Sequence, residues 1–315
     1  MRIAVFGTGG VGGYFGGRLA QTGNVEIIFI ARGAQLQALR EHGLSVESLE
    51  GDFMVQPVQA TDDTTQVGPV DVILVAVKAW QVTEATRALQ PLVGPNTVVV
   101  PLQNGVEAPA QLAGVLGDRH VLGGFCRIVS YISEPGRICQ AGGDPYIAFG
   151  ELDNRPSKRV ETLLQAFAPA VGLTAEVPPN IMAAMWSKFL LISSWSGVGA
   201  LTRVPVGIWR RVPETRQLWQ QAMQEVLAVA QARDIDIGPE TIQKSTSYVD
   251  GLPPQATASM QRDVLNGRPS ELDTLSGGIF RLGQEVAVNT PVHEFIYHAL
   301  LPLELKARGQ IDTAA

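Results

Sequence analysis

Short apolar runs alternate with helical patterns along the first half of the chain. Residues 3–6 form a continuous apolar run, residues 11–20 carry apolar and small side chains in a helical pattern, and residues 25–30 form a second run of strand formers. Continuous runs of this kind are typical of parallel strands that are buried on both faces. The pattern predicts strand, helix and strand, which is the beginning of a doubly wound α/β domain.

This alternation continues to about residue 177. We predict further strands at 70–77, 97–102 and 173–177, helices at 34–41 and 156–170, and a small hairpin within 44–60 that is inserted in the wound sheet. Residues 121–151 are rich in strand and turn signals, and we expect their strands to complete the same sheet. Pro178 and Pro179 end this region, because neither proline can continue a strand ladder or the interior of a helix.

Beyond the two prolines the pattern is almost wholly helical. Helices are predicted at 180–196, 214–233, 239–250, 254–266 and 270–287, and a last one begins at Pro291. We therefore expect an α/β fold with two domains. The first is a doubly wound domain of residues 1–177, and the second is an all-helical domain of residues 178–315.

A glycine-rich turn joins the first predicted strand to the first helix. It reads Gly7-Thr8-Gly9-Gly10-Val11-Gly12, with the spacing G-x-G-x-x-G. In a dinucleotide-binding turn the first glycine permits a tight turn, the second lets the backbone approach a pyrophosphate, and the third lets the helix lie close to the strand. The phosphates would meet the N–H groups and partial positive charge of the helix N-terminus. A turn without a ligand is the alternative, but the position between strand and helix favours dinucleotide binding.

Arg32 stands at the end of the second predicted strand. An NAD-binding unit has an Asp or Glu there, which accepts a hydrogen bond from the ribose 2′-hydroxyl. A cation suits the 2′-phosphate of NADP instead and leaves the hydroxyl of NAD without its acceptor. The alternative is that Arg32 only precedes the next helix and points to solvent. We predict NADP as the cofactor.

Two polar residues follow the next parallel strands. Lys78 comes after the strand at 70–77, and Asn104 comes after the strand at 97–102. Ligands of open α/β sheets bind at the carboxyl ends of the strands. Lys78 is therefore a candidate contact for cofactor or substrate, and the amide of Asn104 a candidate partner for nicotinamide or substrate. A solvated lysine and a turn amide before Gly105 are the alternatives.

Composition narrows the class of protein. The 315 residues are 45% hydrophobic and include two cysteines and four histidines, so we expect neither a disulfide framework nor a metal site. A net charge of −6 without a run of Lys or Arg argues against a nucleic-acid partner. No apolar run reaches the roughly 20 residues of a membrane-spanning helix, and the first residues lack the features of a signal peptide. We expect a cytoplasmic protein without a membrane segment.

Five motifs in this order resemble the ketopantoate reductase family, also called 2-dehydropantoate 2-reductase. They are the glycine motif at 7–12, Lys78-Ala79-Trp80-Gln81-Val82, Gln103-Asn104-Gly105, Trp186-Ser187-Lys188, and Ser259-Met260-Gln261-Arg262-Asp263 followed by Ser270-Glu271-Leu272-Asp273. The resemblance spans nearly the whole chain. It implies a Rossmann domain followed by an all-helical domain like that of 6-phosphogluconate dehydrogenase. It also implies that NADPH reduces a 2-oxo acid, which yields pantoate for coenzyme A synthesis.

The resemblance also implies roles for individual residues. Lys188 corresponds to the catalytic lysine, Glu271 to the carboxylate that works beside it, and Ser259 to a substrate-binding hydroxyl. Lys78 and Asn104 correspond to active-site residues of the first domain. In this chemistry a hydride attacks the 2-carbonyl, and a lysine ammonium stabilises the growing negative charge and gives the proton. Without the resemblance, Lys188 would be interpreted as a surface lysine and Glu271 as a helix-dipole residue.

The sequence departs from the family pattern four and eight residues after Lys188. Family members that make pantoate have substrate-binding asparagines there, whereas this chain has Ile192 and Ser196 on the same predicted helix face as Lys188. Isoleucine removes a donor and an acceptor from the pocket, so the identity of the 2-oxo acid stays open. We keep Ser196 as a predicted substrate contact, and Trp195 beside it could reshape the pocket.

The sequence is compatible with three functions. They are reduction of ketopantoate, the same reaction on a more apolar 2-oxo acid, and a non-catalytic NADP(H) sensor. A sensor needs the glycine turn and Arg32 but no proton donor, so Lys188, Glu271 and Ser259 favour an enzyme. The expected partner is a small 2-oxo acid. The long helix at 214–233 is compatible with a homodimer and equally with burial inside one chain.

Overall fold

A computed structural model describes residues 1–312, which form two compact units. The first unit comprises Met1–Gln103 and Ala108–Ile181, and the second comprises Asn104–Glu107 and the chain from Met182. Residues up to 181 pack with the first unit, since Ile181 lies against Gly123 and Gly150 and its N–H donates to Asn154 Oδ1 at 3.0 Å. The division into domains after residue 177 stays a prediction.

In the described part of the chain, the structure contains the predicted strands and helices in their predicted order, together with three helices that the sequence did not predict. The strands are β1 (Arg2–Phe6), β2 (Glu26–Ile30), β3 (Leu44–Ser48), β4 (Phe53–Val55), β5 (Gln59–Thr61), β6 (Val70–Val75), β7 (Val93–Pro101), β8 (Gly123–Glu134), β9 (Arg137–Gly150) and β10 (Thr174–Glu176). The α-helices are α1 (Gly10–Gln21), α2 (Gly33–His42), α3 (Val82–Leu89), α4 (Ala108–Leu116), α5 (Lys158–Phe167), α6 (Ile181–Thr202), α7 (Val206–Trp209), α8 (Pro213–Ala232), α9 (Glu240–Gly251), α10 (Ser259–Leu265), α11 (Ser276–Glu285) and α12 (Pro291–Ala307). The helices that the sequence did not predict are α3, α4 and α7.

The first unit contains a parallel sheet with the order β5-β2-β1-β6-β7. Numbered along the chain, these five strands are ordered 3-2-1-4-5, which is the order of a Rossmann dinucleotide-binding sheet. Side chains of successive strand residues point to opposite faces. Ile3 and Val5 accordingly lie in one core cluster, and Ala4 and Phe6 lie in the other. Both faces are buried, which explains why the strand is apolar without alternation.

A second sheet corrects two expectations. Its strands have the order β10-β9-β3-β4, and β8 pairs with β9. The hairpin β3–β4 is therefore not inserted in the wound sheet, and β8 and β9 do not complete it. The physical reason is the apolar face of β3, whose Leu44 and Val46 share a core cluster with Ile138 of β9. Strand periodicity identifies that face but not the strand that pairs with it.

The second unit contains helices α6 to α12 and is called the helical unit below. Within it, α8, α11 and α12 pack against one another. The Glu225 carboxylate on α8 accepts hydrogen bonds from the N–H groups of Val292 and His293 at 2.7 and 3.0 Å, which satisfies donors of the first turn of α12. His293 is fully buried, and its Nε2 lies 3.2 Å from the Ala222 carbonyl oxygen. Burial lowers the pKa of His293 to about 4.

Two predicted helices are shorter than expected. The helix predicted at 254–266 begins only at Ser259, and the helix predicted at 270–287 begins only at Ser276. The Ser270 hydroxyl accepts the Leu272 N–H at 3.2 Å within a turn that precedes α11. Glu271 consequently lies in this turn and not in a helix.

Within residues 1–312, α6 is the one helix that is long and apolar enough to cross a membrane by length and composition. Its 22 residues include an 18-residue window with a mean hydropathy of 1.2, of which 56% is buried in the structure. Ser187, Lys188, Ser193 and Ser194 interrupt the apolar residues of α6, so this helix does not contain the uninterrupted apolar run of roughly 20 residues that the sequence was expected to lack. A helix that is apolar on every side is also typical of a protein core, and α6 carries the candidate lysine, Lys188.

Candidate active site

The glycine turn lies where β1 ends and α1 begins. The N–H groups of Gly7 and Thr8 and the Thr8 hydroxyl all donate to the Ile30 carbonyl, at 3.2, 3.2 and 3.1 Å. Gly7 has a φ of +99°, which favours glycine. A Cβ atom at Gly12 would lie only 2.2 Å from the Gly7 carbonyl oxygen. The backbone of the turn thus requires glycine at both positions.

The space beside Gly9 is empty, whereas the other glycines of the turn lie against neighbouring atoms. A Cβ atom at Gly9 would meet no atom within 4 Å, whereas one at Gly10 would lie 2.6 Å from the Ser130 carbonyl oxygen. Gly9 provides no side-chain cap for α1, and the first turn of this helix has no acidic residue. Uncapped N–H groups beside open space form a site that attracts an anion. The turn therefore fits the pyrophosphate of a dinucleotide.

Two further candidate cofactor residues lie at the carboxyl ends of strands in the same sheet. Arg32 is exposed and immediately precedes α2, two residues after the end of β2. Lys78 is exposed and follows β6, with its Nζ 5.7 Å from the centre of the Trp80 ring. These positions agree with the sequence-based expectation. The contacts of Arg32, Lys78, Thr8 and Val11 with a cofactor stay predictions.

In the helical unit, hydrogen bonds join Lys188, Asn104 and Glu271. Lys188 Nζ donates to Asn104 Oδ1 at 2.8 Å, and Asn104 Nδ2 donates to Glu271 Oε2 at 2.8 Å. Glu271 is 5% exposed, and Lys188 and Asn104 are half-buried. The sequence assigned Asn104 to the first domain, but the segment Asn104–Glu107 packs within the second unit. Packing within one unit thus brings three predicted site residues together.

The chemistry of the neighbours fixes the orientation of the Asn104 amide. A lysine ammonium can only donate hydrogen bonds, so the amide oxygen must face Lys188. An ionised carboxylate can only accept them, so the amide nitrogen must face Glu271. The observed arrangement satisfies both conditions. Asn104 therefore accepts a hydrogen bond from the lysine and donates one to the carboxylate, so that the three side chains form a continuous series.

The turn that carries Glu271 is attached to α12 by a buried carboxylate. Glu304, which is 4% exposed, accepts the Ser270 N–H at 3.0 Å from each carboxylate oxygen and the Ser270 hydroxyl at 2.5 Å. Arg308 Nε donates to Glu304 at 2.6 Å, and Arg308 Nη2 donates to the Ser270 carbonyl at 3.1 Å. These bonds fix the backbone of the residue that precedes Glu271. No sequence pattern indicates the contacts of Glu304 and Arg308 with Ser270, because these residues lie more than 30 positions from it.

The remaining candidate residues lie on α6 and α10. Ser196 of α6 is 2% exposed, and Ser259 is exposed at the first position of α10. Ile192 and Trp195 are half-buried, as is Lys188 on the same helix. The roles of Ser196 and Ser259 as substrate contacts stay predictions. Residues 1–312 contain no group of three or more His, Cys, Asp or Glu side chains that could hold a metal ion.

Comparison with family models gives two matches, which together cover most of the chain. Residues 3–154 match a family model described as "Ketopantoate reductase PanE/ApbA", and residues 180–304 match one described as "Ketopantoate reductase PanE/ApbA C terminal". The 2-dehydropantoate 2-reductase of Nostoc sp. strain PCC 7120 is 29% identical over 98% of this chain and 98% of its own length. The uncharacterized oxidoreductase YkpB of Bacillus subtilis strain 168 is 29% identical over 94% of this chain and 97% of its own.

Solved structures have the same fold. The 2-dehydropantoate 2-reductase of Geobacter metallireducens GS-15 superposes with a TM-score of 0.88 at 28% identity, over 96% of this chain and 99% of that chain. A D-mandelate dehydrogenase, solved with NADH and anilino(oxo)acetate, has a TM-score of 0.87 at 23% identity, over 98% of this chain and 99% of that chain. At this lower identity the second likeness shows the fold alone.

Proposed function

This chain belongs to the ketopantoate reductase family, and on that premise we propose that it uses NADPH to reduce 2-dehydropantoate (ketopantoate) to pantoate, a step of pantothenate synthesis. Membership makes the chain an oxidoreductase that depends on a nicotinamide dinucleotide. The observation that carries the proposal is the hydrogen-bonded series Lys188–Asn104–Glu271. It supplies a proton donor of the kind that reduction of a carbonyl requires.

The first unit supports the choice of cofactor. NADPH, when bound, supplies the hydride. The turn at Gly9 would hold its pyrophosphate, since that position is open and lies at an uncapped helix N-terminus. Arg32, exposed at the end of β2, would pair with the 2′-phosphate. The choice of NADP over NAD rests on this cation.

The helical unit supports the proton transfer. As the hydride reaches C2 of the substrate, negative charge develops on the carbonyl oxygen, and the Lys188 ammonium stabilises it and donates the proton. Lys188 becomes neutral in this step and regains a proton from solvent. Asn104 holds the ammonium through its amide oxygen, and the buried Glu271 carboxylate orients Asn104 through the amide nitrogen.

A second candidate keeps the reaction and changes the substrate to a more apolar 2-oxo acid. The half-buried stripe of α6 that includes Lys188 carries the apolar side chains Leu191, Ile192 and Trp195. An apolar pocket wall offers no hydrogen-bond partner to the hydroxyl of ketopantoate, so it does not favour ketopantoate over an apolar 2-oxo acid. A cytoplasmic location, expected from the sequence, belongs to the same proposal, and so does a small-molecule partner rather than a nucleic acid.

The test is a measurement of NADPH oxidation with ketopantoate and a panel of apolar 2-oxo acids, with NADH in parallel. We expect the parent protein to turn over at least one of these acids. The Lys188→Ala variant should lower kcat by about 10²- to 10⁴-fold, which is the usual contribution of a general acid. NADPH binding should be unchanged in this variant. Lys244→Ala removes an exposed lysine of α9 in the same unit and is the matched control.

Each outcome decides between the candidates. Fast turnover of ketopantoate supports the first, and turnover of only an apolar 2-oxo acid supports the second. Tight NADPH binding without turnover of any 2-oxo acid would favour the sensor. Normal turnover by Lys188→Ala would remove this lysine from the mechanism.

A further inference from the structure

Arg281 of α11 joins the two chain segments that carry Asn104 and Glu271. Its Nη2 lies 3.2 Å from Oε2 of Glu107, three residues after Asn104. Its Nη1 lies 2.9 Å from Oδ1 of Asp273, two residues after Glu271, and Nη2 also donates to the Asp273 carbonyl at 3.0 Å. One guanidinium therefore contacts both segments.

The same two segments touch directly between these contacts. Gly105 has a φ of +93°, and a Cβ atom there would lie 2.6 Å from the Thr274 methyl carbon. The segment Asn104–Glu107 is thus attached at one end by the Asn104–Glu271 hydrogen bond and at the other by Arg281. Only a residue without a side chain fits in the middle. The position of Asn104 depends on both ends.

We propose that Arg281 is a positioning residue for the candidate active site, which holds Asn104 in register with Lys188 and Glu271 by bridging Glu107 and Asp273. This inference rests on the proposed function, because it assigns the bridge a purpose in proton transfer. Arg281 acts through Asn104 and donates no proton itself. Its planar group with five N–H donors can contact two separate acceptors at once, which a lysine ammonium on a flexible stem does less well.

The solvent exposure of the bridge separates positioning from stability. The side chain of Arg281 is 39% exposed, that of Asp273 is 55% exposed, and that of Glu107 is 25% exposed. Exposed ion pairs contribute little to folding stability. Misplacement of a catalytic group by a fraction of an ångström, in contrast, lowers the rate of the chemical step. We therefore expect loss of Arg281 to affect turnover much more than the melting temperature.

The first experiment compares Arg281→Met with Arg281→Lys and a matched control. Arg216→Met removes a bidentate arginine pair with Asp250, at 2.8 and 2.7 Å, whose arginine is similarly exposed at 31% and lies on α8 of the same unit. We expect Arg281→Met to lower kcat by about 10-fold with an unchanged KM for NADPH. Arg281→Lys should restore part of the loss, and Arg216→Met should match the parent enzyme.

A double-mutant cycle tests whether Arg281 acts through Asn104. In the Asn104→Ala background the guanidinium has no amide left to position, so Arg281→Met should then change kcat by less than about 2-fold. The same 10-fold loss in both backgrounds would overturn the proposal, and so would an unchanged kcat in the parent background.

Hydrogen exchange measured without substrate separates this inference from the proposed function. We expect faster exchange of the backbone amides of residues 104–107 in Arg281→Met but not in Arg216→Met. If the parent protein reduces no 2-oxo acid, the proposed function fails. The exchange result still decides whether Arg281 holds the segment, and unchanged exchange there would overturn that role.

Discussion

The side-chain amide of Asn104 lies 2.8 Å from the Glu271 carboxylate, although the two residues are 167 positions apart in the sequence. Asn104 uses its oxygen for Lys188 and one N–H for Glu271. Each atom of the amide has capacity for one more hydrogen bond. A contact with substrate or nicotinamide, as the sequence predicts, is therefore compatible with this bridging position.

Asn104→Asp tests the bridge by changing one atom of the side chain. The new carboxylate would face Glu271 with like charge, and one of the two carboxyl groups would take up a proton at a raised pKa. We expect kcat to fall about 100-fold at neutral pH and to recover partly as the pH is lowered. Steady-state rates across pH at saturating NADPH measure this. Asn266→Asp, an exposed residue after α10, is the control, and equal pH profiles for both variants would contradict the bridge.

Arg32→Ala tests the selectivity for NADPH. Hydrogen bonds to a charged group are worth about 1.5–3 kcal/mol, so loss of the 2′-phosphate partner should weaken NADPH binding about 10- to 100-fold. NADH lacks this phosphate, and its affinity should not change. Fluorescence titration with each cofactor provides the two dissociation constants. Arg87→Ala removes an exposed arginine of α3 and should affect neither. An unchanged preference between the cofactors in Arg32→Ala would refute the assigned role.

Ile192→Asn tests which 2-oxo acid the enzyme uses. The amide would supply a donor and an acceptor on the stripe of α6 that includes Lys188. We expect kcat/KM for ketopantoate to rise relative to that for an apolar 2-oxo acid by about 10-fold, as expected for one hydrogen bond to a substrate hydroxyl. Ile192→Leu, which keeps the wall apolar, is the matched control. No gain in this ratio would mean that residue 192 does not contact the substrate.

Stability of the helical unit should depend on pH through His293. Burial lowers its pKa to about 4, from 6.5 in an unfolded chain. Between pH 6.5 and pH 4, His293 is therefore protonated in the unfolded chain but neutral in the folded protein. The free energy of unfolding falls as the pH drops through this range. Between pH 7 and pH 5 this linkage amounts to about 2 kcal/mol. Burial also raises the pKa of Glu225, which acts in the opposite direction, because the folded protein takes up that proton first as the pH drops.

Denaturant unfolding at pH 7 and pH 5, followed by tryptophan fluorescence, measures this effect. Trp219 is buried on α8, the helix that accepts the His293 hydrogen bond. The comparison is with His293→Gln, which keeps an N–H donor but binds no proton in this range. We expect a smaller loss of stability between the two pH values in the variant. Equal losses would show that His293 does not control the acid sensitivity.

The sequence predicted the fold best where the backbone admits only one residue type. The apolar run at 3–6 indicated a strand, and the glycines at 7 and 12 indicated a turn that leads into a helix. The structure confirms these three elements. It failed for β8 and β9, whose composition indicates strands but not the sheet to which they belong. Choice of sheet depends on side chains such as Ile138, which packs with β3 residues about 90 positions earlier.

Part of the candidate site was visible in the sequence as motifs, and part was not. Lys188, Asn104 and Glu271 each lie in a motif of the family, so their proximity could be expected. Arg281 and Glu304 lie in no motif that we recognised. Their roles arise from contacts with Glu107 and Ser270 across folded helices, and neither spacing nor periodicity encodes such contacts.

Residues 104–107 pack with the helical unit, although the chain on both sides of them belongs to the first unit. This arrangement limits where the protein can be cut into fragments or recombined with a relative. A fragment that begins at Met182 keeps Lys188 and Glu271 but loses the amide that connects them. A chimera that joins the first 181 residues of one parent to the remainder of another inherits Asn104 from one parent and both of its partners from the other. Recombination at the apparent boundary therefore mixes the residues of a single hydrogen-bonded series, and only parents that match at all three positions should give an active product.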